Sequence, residues 1–154
     1  MPVFHERLWP AAWVYAVGFL MVPAVILVFT PINFWIGAAI AVTLYAAFLT
    51  LVLAYSPIIE VTATQVRVAG AHVPLSFTGQ CLPHTTRERA RLAAGPQLDL
   101  RAWLCIRGWI PTSLTIEITD DADPVPYWLI STRRPTELAA AITEARAVNR
   151  RQTS

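Results

Sequence analysis

Residues 8–59 read LWPAAWVYAVGFLMVPAVILVFTPINFWIGAAIAVTLYAAFLTLVLAYSPII, 52 positions between Arg7 and Glu60 without one Asp, Glu, Lys or Arg. A helix rises about 1.5 Å per residue, so about 20 mostly apolar residues cover the roughly 30 Å hydrocarbon core of a bilayer. The run holds two such lengths, and Thr30-Pro31-Ile32-Asn33 divides them where a turn is needed. The expectation is a transmembrane helical hairpin with spans at 11–29 and 34–55. The competing reading is a greasy helix pair inside a soluble fold. It fails because the 95 residues beyond Ile59 are too few to surround two helices apolar on every face. The first stretch has no small-x-small cleavage site and runs directly into a second span, so it reads as a retained helix and not as a signal peptide.

Charge is confined to the flanks. Overall 55% of the chain is hydrophobic and 14% charged, with a net charge of +2. Residues 60–154 hold 11 of the 12 Arg and nine of the ten acids, and mark a separate module. Arg7 precedes the first span and Arg67 follows the second, whereas the turn between them has no basic residue. By the positive-inside rule both termini belong in the cytosol, which places the chain in the cell membrane as a multi-pass protein. Trp9, Trp13 and Tyr15 at the start of the first span, Phe34 and Trp35 after the turn, and Tyr55 at the end of the second are placed as interface anchors. Ala12 with Ala16, and Gly37 with Ala41, have the spacing that lets helix backbones approach, and Pro23 should kink the first span. Neither span carries a charge or a histidine, the groups that transport and proton relay require, so anchoring is the simpler role.

Ser56-Pro57 stops the second helix, and the module begins at once. Strand patterns run at 58–62, 65–69 and 72–77, with Gly70-Ala71 as a hairpin turn. Thr85 and Glu88 have capping-box spacing for a two-turn helix reaching Ala94, which Gly95-Pro96 ends. Further strands are expected at 102–107, 113–119 and 127–132, with turns near 108–111 and through the acidic 120–126 segment. A last helix opens at Pro135 and puts Leu138, Ala141, Ile142, Ala145 and Val148 on one face. The fold class is therefore a membrane α-helical hairpin plus a small α+β domain, an antiparallel β-barrel or sandwich of PH-like kind with one C-terminal helix. The domains are 1–57 for the tail and hairpin, 58–149 for the cytosolic β domain, and 150–154 for a frayed end.

Three stretches carry a family resemblance: His5-Glu6-Arg7-Leu8-Trp9-Pro10, Gly95-Pro96-Gln97-Leu98-Asp99-Leu100-Arg101-Ala102, and Pro126-Tyr127-Trp128-Leu129-Ile130-Ser131-Thr132-Arg133-Arg134-Pro135. In these the chain resembles an uncharacterised family of small actinobacterial membrane proteins, a domain of unknown function. The resemblance implies two membrane helices and a cytosolic domain, and no assigned activity. Its motif residues are Gly95, Pro96, Asp99, Arg101, Tyr127, Trp128, Ser131, Thr132, Arg133 and Pro135. The β portion is also similar in outline to bacterial PH-like domains that follow membrane helices, an analogy of fold alone.

Chemistry is sparse. Cys81, His84, Cys105 and His72 are zinc-type donors, but only Cys81 and His84 are locally paired, so packing is the expected role and no metal or other cofactor is called for. Two cysteines suit a reducing cytosol. Asp120, Asp121 and Asp123 lack the Gly and Glu of a calcium loop. Asp99 has no acid or histidine companion at a telling spacing, Ser131 lacks a nucleophile elbow, and there is no Walker or dinucleotide fingerprint. No catalytic residue is assigned and no enzyme is expected. The basic residues are all Arg, whose planar fork pairs phosphate or carboxylate at two points. Arg87, Arg91, Arg101, Arg107, Arg133 and Arg134 are the candidates for contacting an anionic headgroup or a partner, against a bland alternative of local salt bridges to Glu88, Asp99 or Glu137. Nucleic acid is not an expected partner at this net charge. The expected partners are the lipid bilayer and an unidentified membrane or cytosolic protein, with a homo-oligomer compatible. The role expected is interaction or scaffolding at the inner membrane face. The alternatives are an anionic-lipid sensor acting through Arg, and a membrane enzyme using Asp99 on a lipid-linked substrate.

Overall fold

The computed structural model describes residues 3–152. It divides into two compact units, one formed by residues 9–56 and the other by residues up to 8 together with those from 57 onward.

The first unit is a pair of helices, α1 (Ala12–Phe29) and α2 (Phe34–Ala54), each long and apolar enough to cross a membrane. They match the expected spans to within a residue at each end. Asn33 caps α2, its side chain accepting from the backbone N–H of Trp35 (2.9 Å) and Ile36 (3.4 Å). Hydroxyl groups are satisfied inside their own helix, Thr43 donating to the Ala39 carbonyl (2.8 Å) and Thr50 to that of Ala46 (2.9 Å). The helices meet at Gly18, where a Cβ would collide with the Phe48 ring, and at Gly37, where it would meet the Phe29 side chain. Gly37 and Ala41 are buried as their spacing suggested, but Ala12 and Ala16 are exposed and Gly18 takes the close-approach role on α1. Beyond this seam the apolar side chains point outward: Trp13, Leu20, Leu27, Val28 and Trp35 are all more than half exposed.

The second unit is α+β. Its first sheet has the order β1 (Phe4–Arg7), β2 (Ile58–Val61), β3 (Gln65–Val68) and β4 (Ala71–Pro74), each pair antiparallel. A 3-10 turn (Leu75–Phe77) leads to β5 (Thr78–His84), α3 (Arg87–Ala94), β6 (Trp103–Cys105), β7 (Ser113–Ile118), β8 (Tyr127–Ser131) and α4 (Pro135–Gln152). The second sheet has the order β5-β7-β8-β6. Inward residues of both sheets (Ile59, Val61, Val66, Leu114, Ile116, Ile130) join Leu138 and Ile142 of α4 in one fully buried core. Each such side chain contributes about 1.5–3 kcal/mol by leaving water.

Several expectations are corrected. Residues 4–7 are not a tail but a strand, with Phe4 opposite Val61 and Arg7 opposite Ile58. Alternation turns Phe4, Glu6 and Leu8 inward. β5 was not anticipated because Gly79 and Pro83 punctuate it. It tolerates Pro83 because it lies at a sheet edge, and Gly79 because the Glu117 carboxylate occupies the place of a Cβ. The β3–β4 turn is Ala69-Gly70, both at positive φ (50° and 90°), one residue earlier than expected. The α3 cap is Thr86, accepting from the Arg89 N–H, and not Thr85. The sheet is not wholly antiparallel: β6 pairs parallel to β8, on the side of β8 away from β7. Arg150 and Arg151, expected in a frayed end, belong to α4, while Thr153 and Ser154 lie outside the described residues.

The inward turn of Glu6 buries a carboxylate, and the start of α4 satisfies it. Its two oxygens accept from the Thr132 hydroxyl (2.5 Å) and the Arg133 backbone N–H (3.0 Å). Arg134 closes the joint, donating to the His5 carbonyl (3.0 Å) with its guanidinium 4.7 Å from the Phe4 ring centre. Replacing Glu6 by Ala strands both donors, and should destabilise the domain by about 1–3 kcal/mol in urea unfolding of the detergent-solubilised chain. His5→Ala removes only the exposed pair with Glu60 (3.2 Å) and should cost less than about 1 kcal/mol, so equal losses for the two variants would contradict this arrangement.

Candidate functional site

The outward face of the second sheet carries the chemistry. Strand alternation puts Ser113, Thr115 and Glu117 of β7, and Tyr127, Leu129 and Ser131 of β8, opposite the core side, and Ser113 is the cross-strand neighbour of Ser131. α3 and the connection from β6 to β7 border a cleft of about 190 Å³ over this pair. Arg87 and Arg91, four residues apart on α3, and Arg107 from the connection line it, with Ile110 and Leu129 among the apolar contributors. Among the described residues none of these three guanidinium groups lies within ion-pair distance of a carboxylate. No acid among the described residues borders the cleft; Glu88 borders an adjoining open depression beside α3 that Arg87 and Arg91 also line.

The two serines of the floor differ. Ser131 Oγ accepts from the Arg107 backbone N–H (2.9 Å) and keeps its own O–H to donate. Ser113 is 5% exposed, and its buried hydroxyl has no hydrogen-bond partner among the described residues.

Three of the six arginines expected from the sequence thus converge, and three do not. Arg101 is held by Asp99 through two hydrogen bonds (3.3 and 3.0 Å), and these bonds hold the Asp99 carboxyl below the usual carboxylate range. Arg133 gives its backbone N–H to Glu6, and Arg134 pairs with Glu137 (3.2 Å) and His5. The stretches that carry the family resemblance are largely joints. Gly95 closes α3, its N–H donating to the Leu92 carbonyl (3.3 Å), with Pro96 next in the chain. Tyr127 Oη accepts from the Asp99 N–H (2.8 Å), Trp128 packs on Trp103 with ring centres 4.5 Å apart, and Thr132 and Pro135 are buried at the start of α4. Arg146, which sequence reasoning passed over, reaches from α4 to the carbonyls of Thr78 (2.7 Å) and Gly79 at the β5 bulge.

A second cleft on the same face, lined by Leu82, His84, Gln97, Glu117 and Tyr127, includes neither Asp99 nor Arg101. His84 bonds to the Thr115 hydroxyl at 2.9 Å. Burial, helped by the nearby Arg89 charge, lowers its pKa below the ordinary 6.5. Burial likewise pushes the Cys81 and Cys105 thiols up, so both are poor nucleophiles. Among the described residues no three His, Cys, Asp or Glu gather in a way that could hold a metal ion.

Fold and sites define an α+β domain carrying an arginine-lined cleft, in a chain with two membrane-length apolar helices. The chain belongs to the family described as Protein of unknown function (DUF3093), whose model matches residues 3–142 and so takes in both helices, both sheets and the first part of α4. No curated protein and no solved structure matches it.

The folded chain holds fewer protons on His84 than the unfolded chain does. Its contribution to stability is therefore complete above pH 6.5 and declines as pH falls toward the lowered folded value. NMR titration should place the His84 midpoint below the ordinary 6.5, and His84→Gln should flatten the loss of stability as pH falls below that value. A His84 midpoint at or above the ordinary value would refute this.

Proposed function

We propose that residues 9–56 cross the cell membrane twice and that the β domain is held at its cytosolic face as a non-catalytic interaction or scaffold module. The observation that carries this reading is exposure without polarity. The windows that qualify the two helices as spans are 6% and 11% buried, yet between Arg7 and Glu60 there is no charged side chain. Water is a poor solvent for such a surface, and lipid a good one. The helix hydroxyls that donate to their own backbone need no water either.

Chain topology supports the orientation. β1 and β2 are antiparallel neighbours, with Arg7 opposite Ile58 and the Leu8 N–H on the Pro57 carbonyl (3.0 Å), so the chain leaves the domain and returns to it side by side. A hairpin inserted between paired strands returns the chain to the side it left, and Arg7 with an uncharged turn favours the cytosol for that side. Two sheets with one terminal helix support a PH-like reading of the domain, and edge strands would offer places for strand addition by a protein partner.

Alkaline carbonate should leave the chain in the membrane pellet, and reporters fused at either terminus should both read as cytosolic, with a tag inserted between Pro31 and Ile32 outside. Release into the carbonate supernatant, or termini on opposite sides, would sink the proposal.

A further inference from the structure

We propose that the cleft between α3 and the β6–β7 connection binds a phosphoryl group, presented as a small phosphate monoester or as a phospholipid headgroup. Arg87, Arg91 and Arg107 supply the positive field, and Ser113 with Ser131 supplies hydroxyl donors from the floor. This does not rest on the membrane reading, because every residue involved belongs to the β domain.

The two observations behind it are independent. First, three guanidinium groups from two separate elements border one cavity lined by no carboxylate among the described residues, and none of the three is ion-paired, the Arg107 guanidinium donating only to the Ile106 carbonyl (3.1 Å), whereas Arg101 and Arg134 pair with acids. Like charges gathered beside an apolar wall repel one another, and an anion between them removes that cost. Second, the Ser113 hydroxyl is buried beside those arginines with no hydrogen-bond partner among the described residues. A methyl group would fill its place without that loss, so the hydroxyl is explained by an acceptor that arrives with the ligand.

The ligand class follows from the donor set. Donors arrive from α3, from the connection and from the sheet, in three directions, which suits the several oxygens of a phosphoryl group better than the two coplanar ones of a carboxylate. Three cations also suit a group carrying nearly two negative charges. The volume of about 190 Å³ is below the roughly 300–1,000 Å³ of clefts that enclose drug-sized ligands, so the phosphoryl end is held and any larger substituent remains outside.

The test uses the full chain. In nonionic detergent, inorganic phosphate and glycerol phosphate are titrated by 31P line broadening and calorimetry; in parallel, the chain in nanodiscs of phosphatidylcholine with or without phosphatidic acid is followed through the α3 amide shifts. Arg91→Gln with Arg107→Gln should weaken binding by at least about tenfold, and Ser113→Ala by up to about tenfold. Arg101→Gln, outside the cleft, should leave it unchanged. Ser113→Ala should also leave the ligand-free melting temperature unchanged or raised, which separates loss of a ligand contact from loss of fold. Saturable binding of the free phosphates identifies a soluble ligand, and a response only to phosphatidic acid that the cleft variants abolish identifies a headgroup. Absence of saturable binding in both arms, or binding that the cleft variants leave intact, overturns the proposal.

Discussion

The pairing of β1 with β2 is the constraint on which the rest depends. Those strands are separated in sequence by the whole helical hairpin, and joining them closes a loop of about 50 residues, at an entropic cost that grows only with the logarithm of its length. The α1–α2 turn lowers that cost further, since a chain that doubles back at Thr30 to Asn33 already returns its ends toward one another. The strand in turn fixes where the hairpin begins and ends. Neither device is local, and each makes the other less costly.

Glu6 shows what the closure demands. An inward-facing carboxylate in a four-residue strand would forbid burial if it lacked partners, because an unpaired charge in an apolar interior costs more than such a strand can return. It is tolerated because Thr132 and the Arg133 N–H meet it at the start of α4, where the helix dipole also favours negative charge. Arg134, spanning His5, Phe4 and Glu137, then ties strand and helix together from outside. The first and last of the stretches that signalled the family therefore meet in space, and the middle one reaches the last through Asp99 and Tyr127.

What the sequence could disclose divides along physical lines. The helices were legible to within a residue because absence of charge over 52 positions has few alternative meanings; α3 was legible from its Gly95-Pro96 breaker, with its cap placed one residue early, and α4 from Pro135 and a 3.6-residue period. β7 declared itself through apolar alternation, and β8 as an aromatic and aliphatic run after the turn-rich 120–126 segment. β1 did not, because four residues give no period to count and its partner lies beyond the hairpin. β5 did not, because glycine and proline read as breaks unless the edge position and the Glu117 side chain are known. The expected salt bridges to Asp99 and Glu137 exist, with Arg101 and Arg134, but Glu88 forms none among the described residues. Which arginines would converge was invisible, since that depends on α3 lying over a strand pair some 25 to 45 residues further along.

The polar groups of the β domain are not satisfied evenly, and the buried Trp109 Nε1, which does not line the cleft, also has no partner among the described residues. Buried or half-buried groups at the joints have partners with good geometry: Glu6 with Thr132, Thr112 with the Thr132 carbonyl at 2.6 Å, Arg146 with the β5 carbonyls. At the Ser113–Ser131 pair the matching is incomplete: Ser131 accepts from the Arg107 N–H and the Arg107 guanidinium donates to the Ile106 carbonyl, but the Ser113 hydroxyl has no partner among the described residues. A domain that satisfies a buried carboxylate so fully does not lack the means to satisfy a serine hydroxyl. The contrast therefore reads as division of labour, with the joints spending their hydrogen bonds on the fold and the cleft keeping its donors for something that enters from outside.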